Sequence, residues 1–328
     1  MSGAGRTGDA PRPAGRPGPQ AAAMRVRQGG RGWLRALVPG APLLWLGAFF
    51  LLPCLVVLRM SFSEAVVAQP PVSPLWRWAD GALTLTLHLD TYGTLFGDWL
   101  YARALLGSVW IAGVSTAACL LLGYPIALAI ARTAPARRGP LLMAVMLPFW
   151  TSFLIRVYAW ILILKDEGLL NQALSALGLG RLHVMNTDLA VCIGITYSYL
   201  PFMVLPLYAT LVAQDPALRE AAADLRASPW RVFRTVTLPL SLPGVLAGAL
   251  LVFIPACGEF VIPDLLGGPD TLMIGRVLWG EFFSNHDWPV ASAVAVALLA
   301  VLALPAALLQ RGRAGGLAAG DVAGEGTE

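Results

Sequence analysis

Two ionisable side chains lie deep inside apolar stretches, where a charge is costly and is a functional candidate by default. Arg156 stands about 15 residues into the run Leu141–Leu164, and Glu259 about 17 residues into the run Leu242–Ile262, both counted from the side that carries the arginine-rich segments. At ~1.5 Å per residue both reach a similar depth, in the outer half of a bilayer. Two readings are open. The two charges pair and join two helices, or Glu259 belongs to a cation path with Asp264 just beyond it. Aromatic residues fall at the same levels: Trp150, Tyr158 and Trp160 on the third run, Tyr197 and Tyr199 on the fourth. Ring faces beside a carboxylate suit an amine cation, although such rings are also ordinary packing and interface residues. An Arg156 that is free of such a partner would suit an anion instead.

Other chemistries find no support. HExxH, GxSxG and the phosphate-binding GxxxxGK[ST] do not occur. Cys54, Cys119, Cys192 and Cys257 fall inside apolar runs without CxxC spacing and read as small core residues. His88, His183 and His286 are far apart and sit in or beside loops, so no metal site is assigned. The expectation is a non-enzyme with no catalytic residue and no cofactor. Its arginines are scattered across loops and form no nucleic-acid patch.

The elements that position these residues follow from composition. Of 328 residues, 57% are hydrophobic and 13% charged, about half the roughly 25% charged share of a soluble domain, and the mean hydropathy is +0.68. This is a polytopic membrane protein. Six apolar runs lie near the ~20 residues that span a bilayer: Ala41–Phe62, Leu105–Ala131, Leu141–Leu164, Leu189–Val212, Leu242–Ile262 and Pro289–Leu309. Pro53, Pro125, Pro148, Pro201 and Pro255 lie inside them as expected kinks. Residues 1–32 are rich in Pro, Gly and Arg and read as a disordered tail, with Met24 an alternative start. A membrane domain over 33–310 and a tail over 311–328 follow. With both termini cytoplasmic, the inner segments hold 16 of the 23 Lys and Arg, as the positive-inside bias requires. Three loops face outward. Ser63–Arg103 carries Trp76, Trp78 and the strand-like alternation LTLTLHLD, Lys165–Asp188 is polar with glycine breaks, and Pro263–Trp288 holds Asp264 and Asp270.

One inner segment, 213–240, has helix signals of its own. Asp215-Pro216 reads as an N-cap with proline at the first helical position, followed by alanine-rich helix to Leu225. Ser228-Pro229 repeats the signal ahead of a second short helix, with Trp230, Phe233 and Val236 as its apolar stripe. Pro239 and Pro243 are expected to stop it. Ala221, Ala222 and Ala223 make a smooth face beside Glu220, open to close approach by another backbone.

The stretch EAAADLRASPWRVFRTVTLP resembles the EAA loop of ABC-importer permeases. That pattern is EAA, three residues, Gly, nine residues, an aliphatic, any residue, then Leu-Pro. Glu220, Ala221, Ala222, Val236, Leu238 and Pro239 fall on it, and Arg226 occupies the glycine position. Arg226 must therefore adopt a left-handed or otherwise costly conformation, at roughly 1 kcal/mol, or the turn is built differently. LPFWTSFLIRVYAWILILKDEGLLN, Tyr197–Phe202 and GEFVIPDLLGG are similar to the spermidine/putrescine-type branch, the likeness covering roughly Leu83 to Leu309.

The resemblance implies an all-α fold of six transmembrane helices with a cytoplasmic helix-turn-helix coupling loop, placed in the inner membrane. It implies that Glu220, Ala221, Ala222, Arg226, Val236, Leu238 and Pro239 meet a cytoplasmic ATP-binding subunit present in two copies. A second permease chain and a periplasmic substrate-binding protein complete the assembly, and the cargo is a small cation of polyamine type. The path residues expected are Trp150, Arg156, Tyr158, Tyr197, Tyr199, Glu259 and Asp264. Another cargo (an organic cation, a metal chelate or an oxyanion) is the alternative. An ATP-independent carrier is a weaker one, because six spans without an evident inverted repeat give no reason for the 213–240 element.

Overall fold

The computed structural model describes residues 39–303 apart from 41, 67, 69, 80 and 81. The expected tails over 1–32 and 311–328, with Met24, lie outside the described residues. The chain divides into two compact units, Met1–Val56 and Val57–Glu328, and the functional geometry lies in the second. The protein is helical apart from one hairpin, β1 (Trp76–Ala79) against β2 (Ala82–Leu85), antiparallel with Trp76 opposite Leu85. Of the alternation LTLTLHLD only the first three residues, Leu83–Leu85, lie in a strand, and Asp90 already opens the next helix.

Among the described residues, four helices are long and apolar enough to cross a membrane. They are α1 (Pro42–Met60), α3 (Trp99–Arg132), α7 (Asp188–Val212) and α9 (Pro229–Cys257). Helix α2 (Asp90–Gly97) precedes α3, which starts six residues before the expected Leu105 because Asp98 accepts a hydrogen bond from the Leu100 N–H and caps it. The apolar helix α12 (Trp288–Ala303) ends at the last described residue, so the count of six is not reached here. Helices α3, α7 and α9 make the most extensive mutual contacts. They close at Gly248, where a Cβ would press on the Met203 sulfur at 2.8 Å and its carbonyl oxygen at 3.2 Å.

The third run is not one straight span. It divides into α4 (Pro135–Met146) with a 3₁₀ turn (Leu147–Trp150), and α5 (Phe153–Leu164) followed by α6 (Leu169–Ala176). The two halves bend by 86°. Thr151 and Ser152 are extended, and the Thr151 hydroxyl donates to the Pro148 carbonyl at 2.7 Å. A proline and a side chain competing for a backbone acceptor end the first half. The bent pair counts as a fifth candidate span if taken as one.

The fifth run also differs from expectation. Pro239 and Pro243 do not stop a helix. Pro229–Val232, a π turn over Phe233–Thr237 and Leu238–Cys257 form one continuous α9. The π turn shifts the hydrogen-bond register by one residue just ahead of Pro239, so the missing N–H is absorbed where the ladder is already interrupted. The third loop expected to face outward is folded. It contains α10 (Val261–Leu266) and α11 (Ile274–Trp279), with Leu266, Met273 and Ile274 buried and the Ile274 N–H donating to Ser108 Oγ at 2.8 Å. Apolar residues alternate with its turn residues, and Leu266, Met273 and Ile274 are among those that become buried.

Candidate functional site

Helix α9 ends at Cys257 and α10 starts at Val261, so Glu259 stands in a break between two helices. Its side chain is 9% exposed. One carboxylate oxygen accepts the Tyr199 hydroxyl of α7 at 2.6 Å, and the other accepts the Val261 N–H at 3.1 Å, capping α10. Gly275 of α11 packs on this turn, and a Cβ there would collide with the carbonyl oxygens of Gly258 and Glu259. The break is thus held from α7, α10 and α11 together. Hydrogen bonds of this kind fix the direction of the carboxylate.

Of the two open readings, the Arg156–Glu259 pair does not form: among the described residues, neither takes part in an ion pair. Arg156, also 9% exposed, stacks over Phe149 at 4.9 Å and lies 5.7 Å from the Phe153 ring. Its Nε and one terminal nitrogen are buried without a hydrogen bond. The depth argument failed because it assumed a straight third span, whereas α5 leaves the Thr151–Ser152 break on a new course. A row of rings connects the two charges instead. Tyr199 lies 6.0 Å from Phe202, and Phe202 stands edge-on to Phe149 at 5.2 Å.

The structure brings Tyr199 to Glu259 and leaves the other expected path residues apart. Trp150 and Tyr158 are exposed, at 74% and 55%. Tyr197 stands edge-on to Trp160 at 5.4 Å, and Asp264 is ion-paired with Arg276 at 3.2 Å. Phe149 and Phe202 escaped the sequence reading. The Tyr199–Phe202 spacing of three on one helix was the available signal. Phe149, across the break from Arg156, gave none.

The second region is α8 (Pro216–Asp224) and the turn into α9. Asp215 caps α8 by accepting the Ala217 N–H at 2.9 Å, and Ser228 caps α9 by accepting the Arg231 N–H at 3.4 Å. Between them Arg226 has φ +58°, the left-handed conformation expected at the family's glycine position. The Ala227 N–H donates to the Ala222 carbonyl at 3.2 Å and the Arg226 N–H to the Ala223 carbonyl at 2.8 Å, a Schellman ending. Glu220 and Ala221 are exposed, while Ala222 and Val236 are half-buried. Leu238 and Pro239 lie inside α9. A hollow of about 620 Å³ opens between Glu220 and Ala223 on one side and Trp230 and Phe233 on the other. Trp230 stacks on Phe233 at 5.3 Å, and Phe233 meets Tyr124 of α3 edge-on at 5.6 Å. The turn is thereby tied to the bundle.

Residues 37–312 match the family of binding-protein-dependent transport system inner membrane components. The chain belongs to this family. It is the permease subunit of a binding-protein-dependent ABC importer, and the chemistry of ATP hydrolysis lies outside it. This permease is 40% identical to the spermidine/putrescine transport system permease protein PotB of Haemophilus influenzae over 262 residues, 79% of this chain and 87% of that one. It is 31% identical to the inner membrane ABC transporter permease protein YdcU of Escherichia coli over 286 residues, 82% of this chain and 87% of that one. The fold is similar to a chain in the crystal structure of a bacterial ABC transporter that imports the acidic polysaccharide alginate. The TM-score is 0.61 at 20% identity, covering 88% of this permease and 99% of that chain.

Proposed function

We propose that this permease forms the path for a polyamine of the spermidine/putrescine kind, received from a periplasmic binding protein. The observation that carries the proposal is Glu259, a buried carboxylate with no cationic partner among the described residues, set at a helix break against Tyr199, the first ring of the row that continues to Phe202 and Phe149. A carboxylate with adjoining aromatic faces attracts an alkylammonium and rejects an anion. The 40% identity to PotB over most of the chain supports the same cargo class. Tyr197, Trp150, Tyr158 and Asp264 are assigned to the wider path.

In this reading the permease domain, 33–310, crosses the membrane six times with both termini in the cytoplasm. The 213–240 segment then faces inward, and Glu220, Ala221, Ala222, Arg226, Val236, Leu238 and Pro239 form or support the contact with an ATP-binding subunit, one of two. The exposed alanine face beside Glu220 and the adjoining hollow suit a docked partner. A second permease chain completes the path. One observation favours a second reading: Arg156 is buried with unfilled donors, which suits an anionic or chelated cargo.

Proteoliposomes holding the two permeases, the ATPase and the binding protein decide between them. Labelled spermidine or putrescine should accumulate with ATP and not without it, and labelled sulfate should not. Sulfate uptake would overturn the polyamine reading. Uptake of any cargo without the ATPase would overturn the inward-facing coupling assignment. Cysteine labelling near Glu220 from the outer face would do the same.

A further inference from the structure

The ends of α3 and α7 and the starts of α4 and α8 enclose a second, smaller cavity of about 60 Å³. Three arginines line it, Arg132, Arg138 and Arg219, with Gln214, Thr237 and Pro216. No acidic side chain is among its lining residues. None of the three arginines is ion-paired among the described residues. Glu220 lines only the neighbouring hollow, and Asp215 is turned to the Ala217 N–H. Like charges gathered around one small space repel, and the arrangement persists where something negative sits between them.

Two further observations point into the same cavity. Arg219 Nε and Thr237 Oγ1 are buried and have no hydrogen-bond partner, and Thr237 is 1% exposed. Groups around them are already engaged: Arg138 Nε donates to the Thr133 carbonyl at 2.9 Å, and the Gln214 amide donates to the Thr237 carbonyl at 3.1 Å. Part of the polar wall is therefore already engaged, and Arg219 Nε and Thr237 Oγ1 are the buried groups left without a partner. The space matches about two waters at roughly 30 Å³ each, comparable to a tetrahedral oxyanion. Water would fill hydrogen bonds and leave the three charges unbalanced.

We propose that this cavity binds a phosphate group, held by Arg132, Arg138, Arg219 and the Thr237 hydroxyl. The group is either the headgroup phosphate of an acidic phospholipid or free inorganic phosphate. Once bound, it ties α3, α4, α8 and α9 into one junction beneath the Glu220 face. The site is separate from the cargo and from the ring row, and it does not rest on the polyamine reading.

The test uses the full-length permease assembled with its partners in nanodiscs of phosphatidylcholine, with thermal midpoint as readout. One arm adds inorganic phosphate against chloride of equal ionic strength. The other adds phosphatidylglycerol to the discs. At least one arm should raise the midpoint by about 3 °C. A rise with phosphate assigns the site to a soluble anion, and a rise with phosphatidylglycerol alone assigns it to a headgroup. The Arg138→Gln/Arg219→Gln double variant should lose the rise, and should melt higher than wild type in ligand-free discs because the repulsion is gone. Thr237→Val, nearly isosteric, should at least halve the rise and gives the same test if the double variant does not assemble. No rise in either arm, or an equal rise in wild type and variants, overturns the proposal.

Discussion

The turn at Arg226 and the break at Glu259 both join two helices beside a glutamate, yet they are secured in opposite ways. The turn is closed by its own neighbours, Asp215, Ser228 and the Ala222–Ala227 hydrogen bond, all within a few residues. Its glutamate, Glu220, stands on an exposed face. The break is closed from a distance, by Tyr199, 60 residues away in sequence, and by the close seat of Gly275. Its glutamate is buried. Local closure leaves a side chain free for a partner to read. Remote closure aims a side chain before any ligand arrives, so less ordering remains to be done on binding.

Four substitutions break or sharpen this contrast. The largest effect is expected from Glu220→Lys. Charge reversal at a docking face costs several kcal/mol in association, so ATP-driven uptake should fall about a hundredfold. The melting of the isolated permease should barely move, since the residue is exposed. Lowered melting would mean that the turn is not locally closed. Glu259→Gln removes the charge and weakens a charge-assisted hydrogen bond, so polyamine uptake should fall about tenfold with the complex still assembled. Equal uptake would leave Glu259 a purely structural cap. Gly275→Val forces α11 off the Gly258–Glu259 carbonyls and should cost about 2 kcal/mol in denaturant unfolding, with uptake reduced alongside. The smallest effect is a gain: Arg226→Gly relieves the positive φ and should stabilise by about 1 kcal/mol at unchanged uptake. Destabilisation there would show that the arginine side chain matters more than its backbone.

The same contrast explains what was legible in the residues themselves. Asp215-Pro216 and Ser228-Pro229 announced both caps, and Arg226 at a glycine position announced its own strain, because capping and φ depend on adjacent residues. Pro239 and Pro243 misled. A proline stops a regular helix, but the π turn over Phe233–Thr237 had already broken the regularity, and no spacing rule revealed it. Pro148 marked a kink inside Leu141–Leu164, but hydropathy does not register the full break, a 3₁₀ turn followed by two extended residues. That break in turn defeated the depth count that paired Arg156 with Glu259. Phe149, Phe202 and Gly275 act only through neighbours brought in by packing, so a reading along the chain could not single them out.

Helix α9 runs from Pro229 to Cys257 as one helical path, although the π turn over Phe233–Thr237 shifts its hydrogen-bond register. Its 29 residues make a rod of roughly 43 Å at 1.5 Å per residue. A swing of about 5° pivoting at the Trp230 end displaces the Glu259 end by about 4 Å, more than the length of the Tyr199–Glu259 hydrogen bond. The displacement from a small tilt begun at the Trp230 end of α9 is therefore comparable in size with the distance that holds Tyr199 against Glu259.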